Sequence, residues 1–341
     1  MLFNLHLLRA LAALAVVYFH ITSVAGLNLD FNIGAHGVDV FFVISGFIIA
    51  HIGSRTPEHF LIRRLIRIVP FYWSASLLVF GVAVMFPHLL RSTQPDPIQL
   101  LCSLLFIPRE TAYAGMFPTL ILGWSLNYEM YFYVVFSLSL ALSGRRAPLL
   151  CAVLIALVAA AIGLSGVDQP SIMFYARPLV LEFCFGIACF YALRLAERHA
   201  GGLRSVPYAR ALLLILAVLA ALTLGLEEYH GGHGLPRFIG AGLPAAVLVF
   251  ALLMLERIFG VSAKSRLVYH LGESSYVLYL IHPYIIYAIL RLLIHNPDAL
   301  GAFEVMSVIV VLLAVSAATA VALHVYFEKP LMERLRRRLV G

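Results

Sequence analysis

Charge is scarce in this chain. Asp, Glu, Lys and Arg make up 12% of its 341 residues, about half the share of an ordinary soluble domain. Lysine is nearly absent, Lys264 and Lys329 being its two occurrences. Cysteine occurs four times, at Cys102, Cys151, Cys184 and Cys189, mostly in apolar runs and with neither pairing nor metal-ligand spacing. These shortages exclude a soluble fold, a disulfide framework and a cysteine metal centre, and leave the cysteines as small hydrophobes. What fills the chain is apolar: 62% hydrophobic residues and a mean hydropathy of +0.96, the composition of an integral membrane protein. The net charge of +7 is carried almost wholly by arginine in short gaps between apolar runs. That pattern sets membrane orientation and is no nucleic-acid surface.

Ten apolar segments are long enough, at about 1.5 Å per residue, to cross roughly 30 Å of hydrocarbon. They fall near 5–24, 37–53, 68–87, 119–142, 148–166, 172–193, 209–226, 236–256, 268–290 and 303–326. The expected fold is therefore all-α and polytopic, one membrane domain over 1–341. The first segment lacks a following A-x-A-like cleavage site and reads as a retained helix. Segment 97–107, flanked by Pro97 and Pro108, is too short to span and reads as re-entrant or interfacial. Arginines after every second segment (Arg55, Arg63, Arg64, Arg67; Arg145, Arg146; Arg194, Arg198, Arg204; Arg257, Arg266), with Lys264, predict cytoplasmic termini. Arg91, Arg109 and Arg291 are the main exceptions, and Asp30, Asp168, Glu227 and Glu228 fall in the opposite gaps. His230 and His233, in a glycine-rich outer loop, are too few for a metal site. No metal is expected.

Against this background the intramembrane ionisable residues stand out, because each costs free energy at bilayer depth. Arg9 and His20 lie eleven positions apart in the first segment, His20 about 16 Å further outward. Asp39 starts the second segment, Glu129 sits mid-depth in the fourth, and His282 lies in the outer half of the ninth. The expectation is that His20, Asp39, Glu129 and His282 line one wet cavity. On the inner side, Arg63 and Arg67 at i and i+4 predict one face of a short amphipathic helix, with Arg64 pointing elsewhere. Guanidinium forks match phosphate oxygens, which suggests a cytoplasmic activated donor.

The chain resembles the integral membrane acyltransferase-3 family along essentially its whole length. The resemblance rests on R-x10-H (Arg9, His20), G-V-D-V-F-F-V-I-S-G-F (37–47), R-R-L-I-R-I-V-P (63–70) and W-S-L-N-Y-E-M-Y-F-Y (124–133). It continues in the R-x4-E-F-x2-G of Arg177, Glu182 and Gly186, S-Y-V-L-Y-L-I-H-P (275–283) and F-E-K-P (327–330). Where many relatives have Trp before the last His-Pro, this chain has Ile281. The resemblance implies O-acyl transfer from cytoplasmic acyl-CoA, acetyl-CoA first, to an extracytoplasmic glycan or lipid-linked saccharide, with His20 as catalytic histidine. It places the enzyme in the bacterial inner membrane, among membrane lipid and polysaccharide-assembly proteins, with no nucleic-acid partner.

His20 would act as general base on a sugar hydroxyl or carry the acyl group transiently. Asp39 would orient His20, or cap its helix. Glu129 would serve acid–base chemistry or acceptor positioning. Arg9 would bind donor phosphates or polarise the thioester, or snorkel to the interface. Arg63, Arg67 and, less directly, Arg64 would bind the donor phosphates. Trp124, Arg177, Glu182, Tyr276, Tyr279 and His282 are the acceptor-side candidates, although Arg177 and Glu182 would equally serve as a mutual ion pair. Glu328 reads as a helix terminator. The competing reading is a proton-coupled transporter of a glycan or anion, which would also need buried His, Asp, Glu and Arg.

Overall fold

A computed structural model describes residues 2–24, 33–90, 93–229, 234–293 and 301–341. Asp30, Arg91, His230 and His233 lie outside the described residues. The helices are α1 (Phe3–Val24), α2 (Gly37–Gly53), α3 (Phe60–Met85), α4 (Pro97–Leu104), α5 (Trp124–Ser143), α6 (Ala147–Leu164) and α7 (Pro170–Met173). They continue with α8 (Leu181–Arg198), α9 (Ala200–Ser205), α10 (Ala209–Tyr229), α11 (Leu243–Arg257), α12 (Arg266–Leu293), α13 (Ala302–Leu323) and α14 (Lys329–Leu339). Among the described residues there is no β-strand, and the protein is an all-α, polytopic membrane protein. Among the described residues seven helical stretches are long and apolar enough to cross a bilayer, one of them the 44-residue Ile121–Leu164 that contains both α5 and α6. Helix α2, at 17 residues, is apolar but shorter.

Each of the ten expected segments corresponds to a helix, with three differences at the boundaries. The arginine segment 63–67 is no separate interfacial helix: it forms the first turns of the 26-residue α3, which continues through Pro70. Buried Phe60, Ile66, Ile68 and Phe71 keep one apolar face across the proline, so tertiary packing offsets the lost backbone bond. The sixth helix begins at Leu181 rather than 172, because Pro170 and Pro178 divide the approach into short turns. The last segment passes through a π-helical turn, His324–Glu328, into the basic helix α14. Segment 97–107 is the eight-residue α4. Asp96 caps it by accepting from the backbone N–H groups of Ile98 (2.8 Å) and Gln99 (3.1 Å), with Pro97 at the first position.

The chain divides into two compact units, Met1–Ile48 with Glu182–His324, and Ile49–Leu181 with Val325–Gly341. In the first, α1 packs chiefly on α12. Its contacts ascend together along both helices, His6 against Tyr269, Arg9 against Ser275 and His20 against His282, so α1 and α12 run parallel. The start of α1 is fastened by Glu256, whose carboxylate accepts from the backbone N–H groups of Phe3 (2.7 Å) and Asn4 (2.8 Å). This satisfies donors that a helix N-terminus leaves open. Glycines permit a close crossing of α2 and α8. A Cβ on Gly46 would stand 2.1 Å from the Phe183 carbonyl oxygen, and one on Gly186 would stand 2.1 Å from that of Val43. Small residues allow such backbone approach between membrane helices, where dispersion rather than water exclusion drives packing.

In the second unit α5 packs on α6, and α14 on α3. Tyr128 of α5 stacks on Phe174 with ring centroids 4.1 Å apart, and its hydroxyl donates to the Phe174 carbonyl at 2.9 Å.

Candidate active site

The first unit joins the histidines of two distant segments. His282 Nε2 lies 3.2 Å from His20 Nδ1, with ring centroids 4.9 Å apart and the planes inclined at 68°. Each ring also turns back onto its own helix: His20 Nδ1 is 2.8 Å from the Val16 carbonyl oxygen, and His282 Nδ1 is 2.9 Å from that of Leu278. His282 is fully buried and His20 half-buried. Tyr279, one turn before His282, lies 6.4 Å from its ring and 6.1 Å from Phe41. Tyr276 is half-buried on the same helix. Three turns below His20 on α1, Arg9 donates through Nε to Ser275 Oγ at 3.2 Å.

Asp39 does something other than orient His20. Arg237 donates to both its oxygens, Nε at 2.9 Å and a terminal nitrogen at 2.8 Å, and His36 Nδ1 stands 3.1 Å from one of them. The expectation of an Asp39–His20 pair is corrected accordingly. Sequence reading missed Arg237, because it lies next to a glycine-rich outer loop and resembles an ordinary interfacial charge. The π-helical turn that follows it, Phe238–Gly242, is a local geometry with no simple sequence period. Glu182 stands beside Asp39 and not with Arg177. Its carboxyl is fully buried, packs against Gly242 and interacts with the Asp39 carboxylate. The partner suggested for it, Arg177, is exposed and lies 5.6 Å over the Phe174 ring in the second unit. The Arg177–Glu182 ion-pair reading is thereby also corrected. Glu228 closes the same outer end, its two oxygens accepting from the backbone N–H groups of Gly34 (2.6 Å) and Ala35 (2.8 Å) ahead of α2.

The second unit carries the arginines. Arg67 donates to Glu328 at 2.9 Å, so the glutamate read as a helix terminator is a buried counter-ion, 1% exposed. Arg64, expected to point away, lies 5.8 Å over the Phe60 ring, with Tyr133 and Glu129 beside it. Tyr133 donates its hydroxyl to Glu129. The Nε atoms of Arg63 and Arg64 are buried and without a hydrogen-bond partner among the described residues. A buried guanidinium edge left open is costly unless a ligand completes it. Trp124, half-buried at the start of α5, meets Tyr128 edge to face at 6.0 Å. Among the described residues no three His, Cys, Asp or Glu side chains are placed to hold a metal ion.

A buried polar network within apolar helices, with an imidazole at its centre, fits a membrane enzyme, and the comparisons agree. The profile of the Acyl_transf_3 acyltransferase-domain family matches residues 2–326, and the chain belongs to that family. It is 36% identical over 320 residues to the exopolysaccharide production protein ExoZ of Rhizobium meliloti, covering 91% of this chain and 93% of that protein. It is 27% identical over 312 residues to the putative peptidoglycan O-acetyltransferase YrhL of Bacillus subtilis, covering 81% of this chain but 47% of that protein. A shorter match, 32% identical over 144 residues, links it to the peptidoglycan O-acetyltransferase OatA of Listeria monocytogenes, covering 38% of this chain and 22% of that protein. No solved structure matches.

Proposed function

We propose that this acyltransferase moves an acyl group, acetyl in the first instance, from cytoplasmic acyl-CoA to a hydroxyl of an extracytoplasmic glycan or lipid-linked saccharide. It would do so in the bacterial inner membrane, with both termini inside. The observation that carries the reading is the setting of His20. Its Nδ1 is tied to the Val16 carbonyl, which leaves Nε2 as the nitrogen available to a substrate. The full-length similarity to an exopolysaccharide production protein supports a secreted or lipid-linked polysaccharide as acceptor.

In this reaction His20 Nε2 takes the proton of the sugar hydroxyl as the oxygen attacks the thioester carbonyl carbon. The C–S bond then breaks and the leaving thiolate receives that proton, so an ester and a free thiol form with no net proton change. Arg63 and Arg64 suit the donor's phosphates through their open Nε edges, while Arg67 is already neutralised by Glu328. Arg9, held by Ser275, keeps a positive charge on the helix that bears the base. The purified protein in detergent, given acetyl-CoA, should slowly release free CoA, and His20→Ala should abolish the release. A protein that binds acetyl-CoA without ever cleaving it would favour a transporter, and a His20→Ala variant that still transfers would overturn His20 as the base.

A further inference from the structure

We infer that His282 is the positioning residue of the reaction, a neutral hydrogen-bond acceptor that fixes which nitrogen of His20 carries its hydrogen and where the other one points. This rests on the reading of His20 as the base.

The argument follows from what each ring nitrogen faces. A carbonyl oxygen only accepts, so the His20 Nδ1 beside Val16 and the His282 Nδ1 beside Leu278 each carry a hydrogen. With its hydrogen on Nδ1, neutral His282 presents Nε2 as a bare lone pair. That lone pair lies 3.2 Å from His20 Nδ1 and accepts a share of the hydrogen already directed at Val16. The two contacts agree on one tautomer, and they leave His20 Nε2 unprotonated. When Nε2 takes the substrate proton, the Nδ1–H group becomes a stronger donor, and the His282 lone pair stabilises the imidazolium. In a soluble triad a carboxylate holds the imidazole in this way. At membrane depth a second ion would add its own desolvation cost, and a neutral imidazole supplies the same acceptor without it.

The sequence around His282 suits the task. Pro283, the next residue, has no N–H group to offer the preceding turn, in which the Leu278 carbonyl oxygen lies 2.9 Å from His282 Nδ1. The Leu278 carbonyl holds Nδ1 protonated. Asp39, the carboxylate that sequence suggested for this role, is already bound by Arg237 and His36.

His282→Leu and His282→Gln test the assignment. Leucine fills the space but accepts nothing, while the glutamine side-chain oxygen reaches about the position of the ring Nε2. The expected result is a loss in kcat of roughly 100-fold or more for His282→Leu, with KM for acetyl-CoA little changed and His282→Gln restored to within about tenfold. The nitrogen-15 spectrum of labelled histidine, with His20 assigned by its loss in His20→Gln, should show His20 protonated on Nδ1 in the wild type and a tautomer mixture in His282→Leu. A folded His282→Leu variant with unaltered kcat overturns the proposal, while loss of activity in His20→Ala would still uphold the base. If His282→Leu does not fold, the wild-type spectrum decides, and a His20 protonated on Nε2 refutes the assignment.

Discussion

The carboxylate–arginine pair at the outer end of the first unit and the arginine cluster at the start of α3 contrast in how completely they are satisfied. Asp39 is wholly buried and accepts two hydrogen bonds from Arg237, with His36 beside it. Arg63 and Arg64 bury an Nε edge each with no hydrogen-bond partner among the described residues. A charge whose bonds are complete has its solvation replaced by the fold and reads as scaffold. A charge whose bonds are incomplete waits for something from outside the chain. The same criterion separates Arg67, closed by Glu328, from its neighbours, and it puts Arg64 in the place beside Arg63 that helical spacing gave to Arg67.

The comparison can be broken at either end. The largest effect is expected from the histidine itself: His20→Ala should lower acyl transfer by about 1,000-fold or more, measured as glycan ester formed per folded enzyme. Asp39→Asn should spare the chemistry but leave Arg237 facing a neutral amide. It should cost about 2 kcal/mol of stability, since Arg237 keeps part of its contact with solvent, read as a lower melting temperature in detergent. A stable Asp39→Asn enzyme with a collapsed kcat would return the aspartate to the catalytic group. Gly46→Ala, which drives a methyl into the Phe183 carbonyl, should destabilise by about 1–3 kcal/mol in the same assay. Arg63→Gln and Arg64→Gln should each raise KM for acetyl-CoA by about tenfold with kcat preserved, since a lost charge-assisted hydrogen bond is worth about 1.5–3 kcal/mol.

The smallest effect belongs to an exposed pair. Arg109 donates to Asp96 at 2.7 Å and, with the N-cap bonds, holds that carboxyl below the usual carboxylate range. A lowered folded-state value makes its contribution complete above about pH 4 and lost as pH falls further, through the lowered value. Asp96→Asn should flatten the acid limb of a stability-against-pH curve only slightly, as surface pairs do.

Much of the architecture was legible in advance because a bilayer imposes two simple demands, apolar length and internally satisfied backbone, and both are written in composition and period. Arg9, His20 and His282 stood out for the same reason, as ionisable groups where none is cheap. Boundaries were less legible where local rules competed: Pro70 suggested a break that the continuous buried face of α3 overrides, whereas Pro178 delayed α8 to Leu181. Pairing was the least legible. Arg237 lies 198 positions from Asp39, and His282 lies 262 from His20. No helical period connects such distances.

An all-α membrane protein of the acyltransferase family, and the identity of its buried ionisable groups, could be read from the chain alone, since each follows from hydropathy and from motifs along it. Which of those groups satisfy one another, Asp39 with Arg237 and His20 with His282, emerged from the packed helices. Hydrogen bonds depend on ångström distances between side chains, and those are set by how helices pack.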